Sequence, residues 1–129
     1  MTAERNKQII RQLYEEVFCG HKLAAVDRLI HDDYIQHNPF IPSKRAGLRG
    51  YVEKLPKGRV YEPGMIVAEG DLVMVHGRYS GGGEKALVAA DIFRFEGDQV
   101  VEHWDVLQEE VPADETIAGN AMFIPAARA

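Results

Sequence analysis

The chain changes its periodicity near residue 58, and this change limits the folds that it can adopt. Before that point, apolar residues recur at helical spacing from Ala3 to Phe18 and again in the stretch KLAAVDRLI, and a weaker helical pattern runs from Ala46 to Leu55. After it, β-rich runs separated by short turn signals follow one another: VYEPGMIVAEG, DLVMVHGRYS, KALVAADIFRF and QVVEHWDVLQ. Helices followed by a strand meander predict an α+β domain, in which N-terminal helices pack on a curved, mostly antiparallel sheet.

A single domain accounts for the whole chain. Its 129 residues are enough to bury one hydrophobic core, and no repeat or linker-like stretch divides them. We therefore expect one domain over residues 1–129, with residues 110–129 as a C-terminal tail. In this tail, Met122, Phe123 and Ile124 are expected to pack on the body of the domain or on a second subunit.

Charge and hydropathy exclude several classes of partner. The formal net charge is −5 and no Lys/Arg block is present, so we expect no nucleic-acid partner. No run of about 18 apolar residues occurs, and the polar start MTAERNKQ lacks the apolar segment of a signal peptide. The lone cysteine, Cys19, cannot form an internal disulfide, which fits a reducing compartment. We expect a cytoplasmic protein with no membrane partner.

The last predicted hairpin, ADIFRFEGDQVVEHWD, has a register that its charges select. With a three-residue loop over residues 97–99, Arg94 stands opposite Glu102 and Asp91 stands opposite Asp105. A two-residue loop would shift the register by one residue and deprive Arg94 of its partner. We therefore predict the first register, and it places two aspartates directly opposite each other.

These two aspartates share a face of the hairpin with largely apolar neighbours. Phe93 and His103 lie on the same face, and opposed Cβ atoms are roughly 4.5–5.5 Å apart, where like charges destabilise a sheet. The arrangement is intelligible if burial and repulsion keep one carboxyl protonated, as a hydrogen-bond donor or a general acid. We expect Asp105, Asp91 and His103 to form a catalytic group in a pocket. An aspartate in a strand is also common on a solvated sheet face, and this alternative stays open.

Other polar and aromatic residues are candidates for the pocket wall. In YIQHNPF, strand alternation puts Asn38 and His37 on opposite sides, so Asn38 is expected to orient a ligand, while His37 is either a pocket residue or a turn residue. The histidines show no metal-ligand spacing, so we predict no metal site, although a centre formed by His37, His76 and His103 with Asp105 stays open. The expected substrate-binding residues are Tyr14, His37, Asn38, Phe40, His76, Phe93 and Trp104.

These residues resemble the SnoaL-like polyketide cyclases, a branch of the nuclear transport factor 2-like (NTF2-like) superfamily. The likeness rests on LYEEVFCGHKLAAVDRLIHDDYIQHNP, on ADIFRFEGDQVVEHWDVLQ and above all on the segment EGDQVVEHWD. It implies a cone-shaped α+β barrel with a deep apolar pocket and usually a homodimer. In these cyclases the aspartate at the position of Asp105 is a general acid and base for aldol closure of a polyketide, without metal or organic cofactor.

The chain departs from each related enzyme at one position. Asp91 stands where the cyclases have a histidine. In the ketosteroid isomerases, Asp91 and Tyr14 match the oxyanion hole, but the catalytic base aligns with Asn38, which cannot take up a proton. In limonene epoxide hydrolases the aspartates at positions 91 and 105 need an arginine where this chain has Ala89.

Two classes of function follow from these observations. The first is a cofactor-independent lyase or isomerase that acts on a small apolar carbonyl compound through an enolate, by aldol-type cyclisation or by isomerisation. The second is a non-catalytic module for small-molecule binding or dimerisation, because fold alone does not decide function.

Overall fold

Three helices and five strands form the domain in a computed structural model that describes residues 2–83 and 85–125. The helices are α1 (Ala3–Leu13), which continues as a π-helical segment over Tyr14–Cys19, α2 (Leu23–Leu29) and α3 (Lys44–Glu53). The strands are β1 (Ile30–Gln36), β2 (Val60–Glu69), β3 (Leu72–Ser80), β4 (Leu87–Glu96) and β5 (Gln99–Glu109), and a short 3₁₀ helix follows at Ala113–Glu115. None of the helices within the described ranges is long and apolar enough to cross a membrane.

The first helix has the predicted extent but not a uniform geometry. Thr2 caps it by accepting a hydrogen bond from the backbone N–H of Arg5, and its apolar stripe is buried against the sheet. The helix widens into the π-helical segment at Tyr14, a geometry that is rare and frequent at functional sites. The segment buries Tyr14 and Val17, so it directs the Tyr14 ring into the interior.

The sheet has the strand order β1-β5-β4-β3-β2. The last four strands form an antiparallel meander, as predicted, and β1 is added at its edge in parallel with β5. The core lies between the inner face of the sheet and the helices, and it contains side chains from all three helices and all five strands. The predicted α+β fold of helices on a mostly antiparallel sheet is confirmed.

The β4–β5 hairpin has the predicted register with a different turn. Asp91 pairs with Asp105, and Arg94 pairs with Glu102 through a hydrogen bond of 2.9 Å. The turn contains two residues rather than the predicted three, and a β-bulge at Val101 takes up the remaining residue. The predicted loop length was therefore wrong, while the register that it was used to justify is correct.

The C-terminal tail packs on the outer face of the sheet. The Phe123 side chain is buried, its ring lies 5.8 Å from the ring of His76, and Gly64 leaves the space that it fills. The prediction that the tail packs on the body is met by Phe123. The end of the predicted tail, residues 126–129, lies outside the described residues, as does Glu84 in the predicted turn GGGE.

Candidate active site

A cavity of about 560 Å³ opens between the inner face of the sheet and the helices. Most of its lining is apolar or aromatic, and its acidic groups are two aspartates from β4 and β5. This size and this mixture of many apolar groups with a few polar ones are typical of sites for small molecules.

Asp91, Asp105 and His103 lie together in the wall of this cavity. The side chain of Asp91 is 3% exposed, and those of Asp105 and His103 are each 8% exposed. His103 Nε2 is 2.8 Å from Asp91 Oδ1 and 3.9 Å from Asp105 Oδ2. Both carboxyl groups are therefore buried on one face of the sheet, with one imidazole nitrogen facing both of them.

Asn38 fixes the position of Asp105. The backbone N–H of Phe40 donates to Asn38 Oδ1 at 2.8 Å, and a backbone N–H needs an oxygen acceptor, so the amide nitrogen must point the other way. That nitrogen donates to both oxygens of Asp105, at 3.0 and 2.8 Å. Asp105 is thus held as an acceptor, with its carboxylate plane set by a neutral donor.

Gln36 makes the corresponding contact to His103. Its Oε1 accepts a hydrogen bond from the backbone N–H of Asn38 at 3.0 Å and lies 2.7 Å from His103 Nδ1. Its amide nitrogen donates to the hydroxyl of Tyr34 at 3.0 Å. Every polar atom of the Gln36 side chain therefore has a partner, and the amide cannot be reversed without loss of the backbone contact.

Two tyrosine hydroxyls face the same end of the cavity. The Tyr79 hydroxyl donates to Asp91 Oδ2 at 3.1 Å. The Tyr14 ring stacks on Tyr61 with centroids 3.8 Å apart, and the buried Tyr14 hydroxyl has no hydrogen-bond partner of good geometry among the described residues. Burial, followed by the charge of Asp91, raises the pKa of Tyr14 and of Tyr79 well above the ordinary value. Both groups therefore stay protonated and can donate.

The structure brings most of the predicted site residues together. Besides the three acid and base groups, the cavity is lined by four of the predicted substrate-binding residues: Tyr14, Asn38, Phe40 and Phe93. Their chemical roles are predictions that the geometry leaves untested.

Three predicted pocket residues lie on the other face of the sheet, so their assignment to the pocket was wrong. His37 stacks on Trp104 with centroids 4.8 Å apart, and its Nε2 lies 2.7 Å from Glu102 Oε2. This hydrogen bond, and the one from Arg94, hold the pKa of the Glu102 carboxyl below its usual range. His76 contacts Phe123 of the tail. The physical reason is strand alternation, which turns each of these residues away from its inward-facing neighbours.

Six polar side chains that line the cavity were not singled out from the sequence: Tyr34, Gln36, Tyr51, Lys54, Arg59 and Tyr79. Tyr34 and Gln36 have the same strand parity as Asn38, so alternation alone could have identified them. Tyr79 alternates with Val73 and Val75 on the inner side of β3. This alternation indicated an inward side chain less strongly, because Tyr79 lies near the end of the strand.

Asp91, His103 and Asp105 are also the group in the described part of the chain that could offer three ligand atoms to a cation, since these atoms lie within 4.8 Å of one another. The distance of 2.8 Å between His103 Nε2 and Asp91 Oδ1 is a hydrogen-bond distance and requires a proton between the two atoms. That contact has the geometry of an acid–base pair.

The chain matches a family model and many solved structures. The model described as a SnoaL-like domain matches residues 10–103. No curated protein matches the chain.

Solved structures of similar fold include a proposed polyketide cyclase from Acidithiobacillus ferrooxidans, with a TM-score of 0.72, 21% identity, and coverage of 84% of this chain and 92% of that chain. A proposed ketosteroid isomerase from Kribbella flavida has a TM-score of 0.75 and 17% identity over 88% of this chain and 87% of its own. IdmH, a proposed polyketide cyclase from Streptomyces antibioticus, has a TM-score of 0.69 and 22% identity over 80% of this chain and 91% of its own. At these identities the likeness shows the fold.

Proposed function

Because the chain belongs to the SnoaL-like domain family, we propose that it is a cofactor-independent enzyme that acts on a small, largely apolar carbonyl compound by acid–base chemistry. The reaction is an aldol-type cyclisation or an isomerisation, and both pass through an enolate. The observation that carries this proposal is the pair of buried carboxyl groups, Asp91 and Asp105, in the wall of an apolar cavity.

Asp105 is the base in this proposal. Its two oxygens receive only neutral N–H donors from one amide, so it retains lone pairs that face the cavity. The ketosteroid isomerases have their base at the position of Asn38. Here Asn38 instead donates to Asp105, so the carboxylate proposed as the base lies on β5. The carbon-bound proton next to a carbonyl group is removed by Asp105.

The oxygen of the developing enolate is stabilised by hydroxyl donors at the same end of the cavity. Tyr14 contributes a buried hydroxyl that lies beside the hydroxyls of Tyr61 and Tyr79 but has no hydrogen bond of good geometry in the described residues, so it can donate to a substrate oxygen. Asp91 lies beside it and carries or shares a proton with His103. Each donor is worth about 2.7–4 kcal/mol of the barrier by comparison with oxyanion holes in general.

The alternative function is non-catalytic binding of an apolar small molecule. The apolar lining of the cavity supports it equally well, since binding needs no acid or base. The two functions differ in what the carboxyl groups do. A binding module keeps its affinity for a ligand when Asp91 and Asp105 are both replaced by Asn, and it returns the ligand unchanged.

Enolate formation can be tested before the substrate is known. The protein is incubated in D₂O with a panel of small cyclic and aromatic ketones, and deuterium incorporation at the α-carbon is followed by ¹H NMR. We expect catalysed exchange for at least one apolar ketone. The binding module would be favoured if ketones raised the thermal stability of the protein while their α-deuterium exchange stayed as slow as in buffer.

We also propose that the protein is a homodimer that associates through the outer face of the sheet. On this face, β2, β3 and β5 carry Val67, Met74 and Val106, which are 59%, 45% and 72% exposed in the single chain, and β4 lies between β3 and β5. Covering such a row of apolar side chains removes them from water, which favours association.

The variant Met74→Lys/Val106→Glu is expected to shift the protein from dimer to monomer, because it buries two charges in the proposed interface. Sedimentation velocity at micromolar concentration measures the change. Gln12→Lys, at an exposed residue of α1 on the helix side of the sheet, is the control and should leave the dimer intact. A wild-type protein that sediments as a monomer would contradict the proposal.

A further inference from the structure

The hydrogen bonds around His103 determine which of its nitrogens carries a proton. Oε1 of Gln36 is an acceptor, because it receives the backbone N–H of Asn38. A second contact of 2.7 Å joins the same oxygen to His103 Nδ1, and two acceptors do not form a contact of this length without a proton between them. His103 Nδ1 therefore carries a proton.

The other nitrogen of His103 then needs a second proton. A neutral imidazole with Nδ1–H has a bare lone pair at Nε2, and Asp91 Oδ1 lies 2.8 Å from it. This contact requires either an imidazolium beside an Asp91 carboxylate or a neutral imidazole beside a protonated Asp91. In both arrangements one proton lies between Nε2 and Oδ1, and the pair as a whole has no net charge.

We infer that Gln36 is a positioning residue that fixes His103 with a proton on Nδ1, so that His103 Nε2 and Asp91 share one proton that is delivered to the substrate oxygen. This inference rests on the proposed function for the identity of the acceptor. The placement of the proton rests only on the contacts of the free protein.

The proton transfers balance. Asp105 takes the proton from the α-carbon, and the electron pair of that C–H bond becomes the new carbon–carbon double bond. The carbonyl π pair takes up the proton that His103 and Asp91 shared, which gives an enol. Asp105 is then neutral and the pair carries one negative charge, so the three groups have a net charge of −1 before and after the step. The reverse transfers restore the starting state. In an aldol closure, the enol carbon attacks a second carbonyl carbon, the enol O–H proton returns to the His103–Asp91 pair, and the new alkoxide takes the proton from Asp105, so the three groups also regain their starting state.

This conservation of charge explains why two aspartates can stand opposite each other in an apolar wall. Two ionised carboxylates without a proton would carry a charge of −2 in a buried site, which is costly. Tyr79 and Asn38, which hydrogen-bond to these carboxyls from other elements, are neutral. Lys54 and Arg59 also line the cavity and are cationic. The shared proton is the positive charge that lies directly between His103 and Asp91.

Long-range ¹H–¹⁵N NMR of the histidine side chains in the free, full-length protein tests the inference. The signals of His103 are identified by their loss in His103→Gln. We expect a protonated Nδ1 at neutral pH, with a proton that exchanges slowly with water. A bare Nδ1 with the proton on Nε2 would overturn the inference, because Gln36 would then not act as the acceptor.

Variants separate positioning from a merely structural role. In Gln36→Leu the acceptor is lost, and we expect loss of the slowly exchanging Nδ1 proton together with α-exchange that is slower by at least about 10²-fold. Gln36→Glu restores an acceptor and should restore the Nδ1 signal, and Gln108→Leu, at an exposed glutamine of β5, should change neither readout. A Gln36→Leu protein that keeps the Nδ1 proton would contradict the inference.

The two proposals fail in different ways. A protonated Nδ1 in a protein that exchanges no ketone leaves the proton placement intact and removes the enzymatic function. Catalysed exchange in a protein with a bare Nδ1 removes the role of Gln36 and leaves the function.

Discussion

Replacement of Asp105 by Asn is expected to slow catalysed α-deuterium exchange by about 10²–10⁴-fold, the usual contribution of a positioned general base. Asparagine has almost the same shape, and its oxygen can still accept from the Asn38 amide, so the fold should survive. It cannot take up a proton from carbon at neutral pH. The measurement is the exchange rate of the most active ketone, compared at equal protein concentration with the wild type.

The control for this experiment is Asp98→Asn. Asp98 lies in the turn of the same hairpin, its side chain is 62% exposed, and its ion pair with Arg5 spans 3.8 Å at the surface. Such a pair contributes little, so both activity and stability should stay near those of the wild type. If Asp105→Asn exchanged ketone as fast as Asp98→Asn does, Asp105 would not be the base.

His103→Leu is expected to cost about 3–5 kcal/mol of unfolding free energy, because it leaves Asp91 buried without its proton-sharing partner. For a chain of this size the melting temperature falls by on the order of 10–20 °C. Urea unfolding at neutral pH, followed by fluorescence of the lone tryptophan, Trp104, gives the free energy directly.

A second variant distinguishes the lost pair from lost packing. Asp91→Leu/His103→Leu removes both polar groups, and replacement of a whole buried pair by apolar residues is often close to neutral, so the double variant should regain most of the stability. His76→Leu is the matched histidine control, since His76 Nδ1 is buried without a hydrogen-bond partner among the described residues. A double variant less stable than His103→Leu would show that the two residues are not coupled in this way.

The fold could be predicted largely from the sequence because its signals are local. Hydrophobic periodicity located the helices, and turn residues located the four strands of the meander. The parallel addition of β1 beside β5 could not be read from such patterns, since it depends on contacts between distant segments. The π-helical segment at Tyr14 likewise has no sequence signature that we used.

The pairing of Asp91 with Asp105 could be predicted because a second pair of residues in the same hairpin determines it. Arg94 and Glu102 form a charged cross-strand pair on the outer face, and this pair fixes the parity of Asp91 and Asp105 on the inner face. The conclusion survived an incorrect loop length because the bulge at Val101 compensates for it.

The errors came from an alternation of strand residues that was not applied to every candidate. Trp104 is paired with Ile92 in the same register that placed Asp105 inside, so it had to lie outside. His37 was kept as a pocket candidate although alternation sets it on the side opposite Asn38, and His76 alternates with Leu72 and Met74, which are exposed, so both point outward. Applied consistently, the same alternation would have selected Gln36, which makes the contact that fixes His103.

The measurement that tests the account most directly is a neutron crystal structure of the deuterated protein at neutral pH. We predict a deuteron on His103 Nδ1, one deuteron between His103 Nε2 and Asp91 Oδ1, and none on Asp105. A deuteron on Asp105 would leave the site without a base, and its presence there would contradict the proposed chemistry.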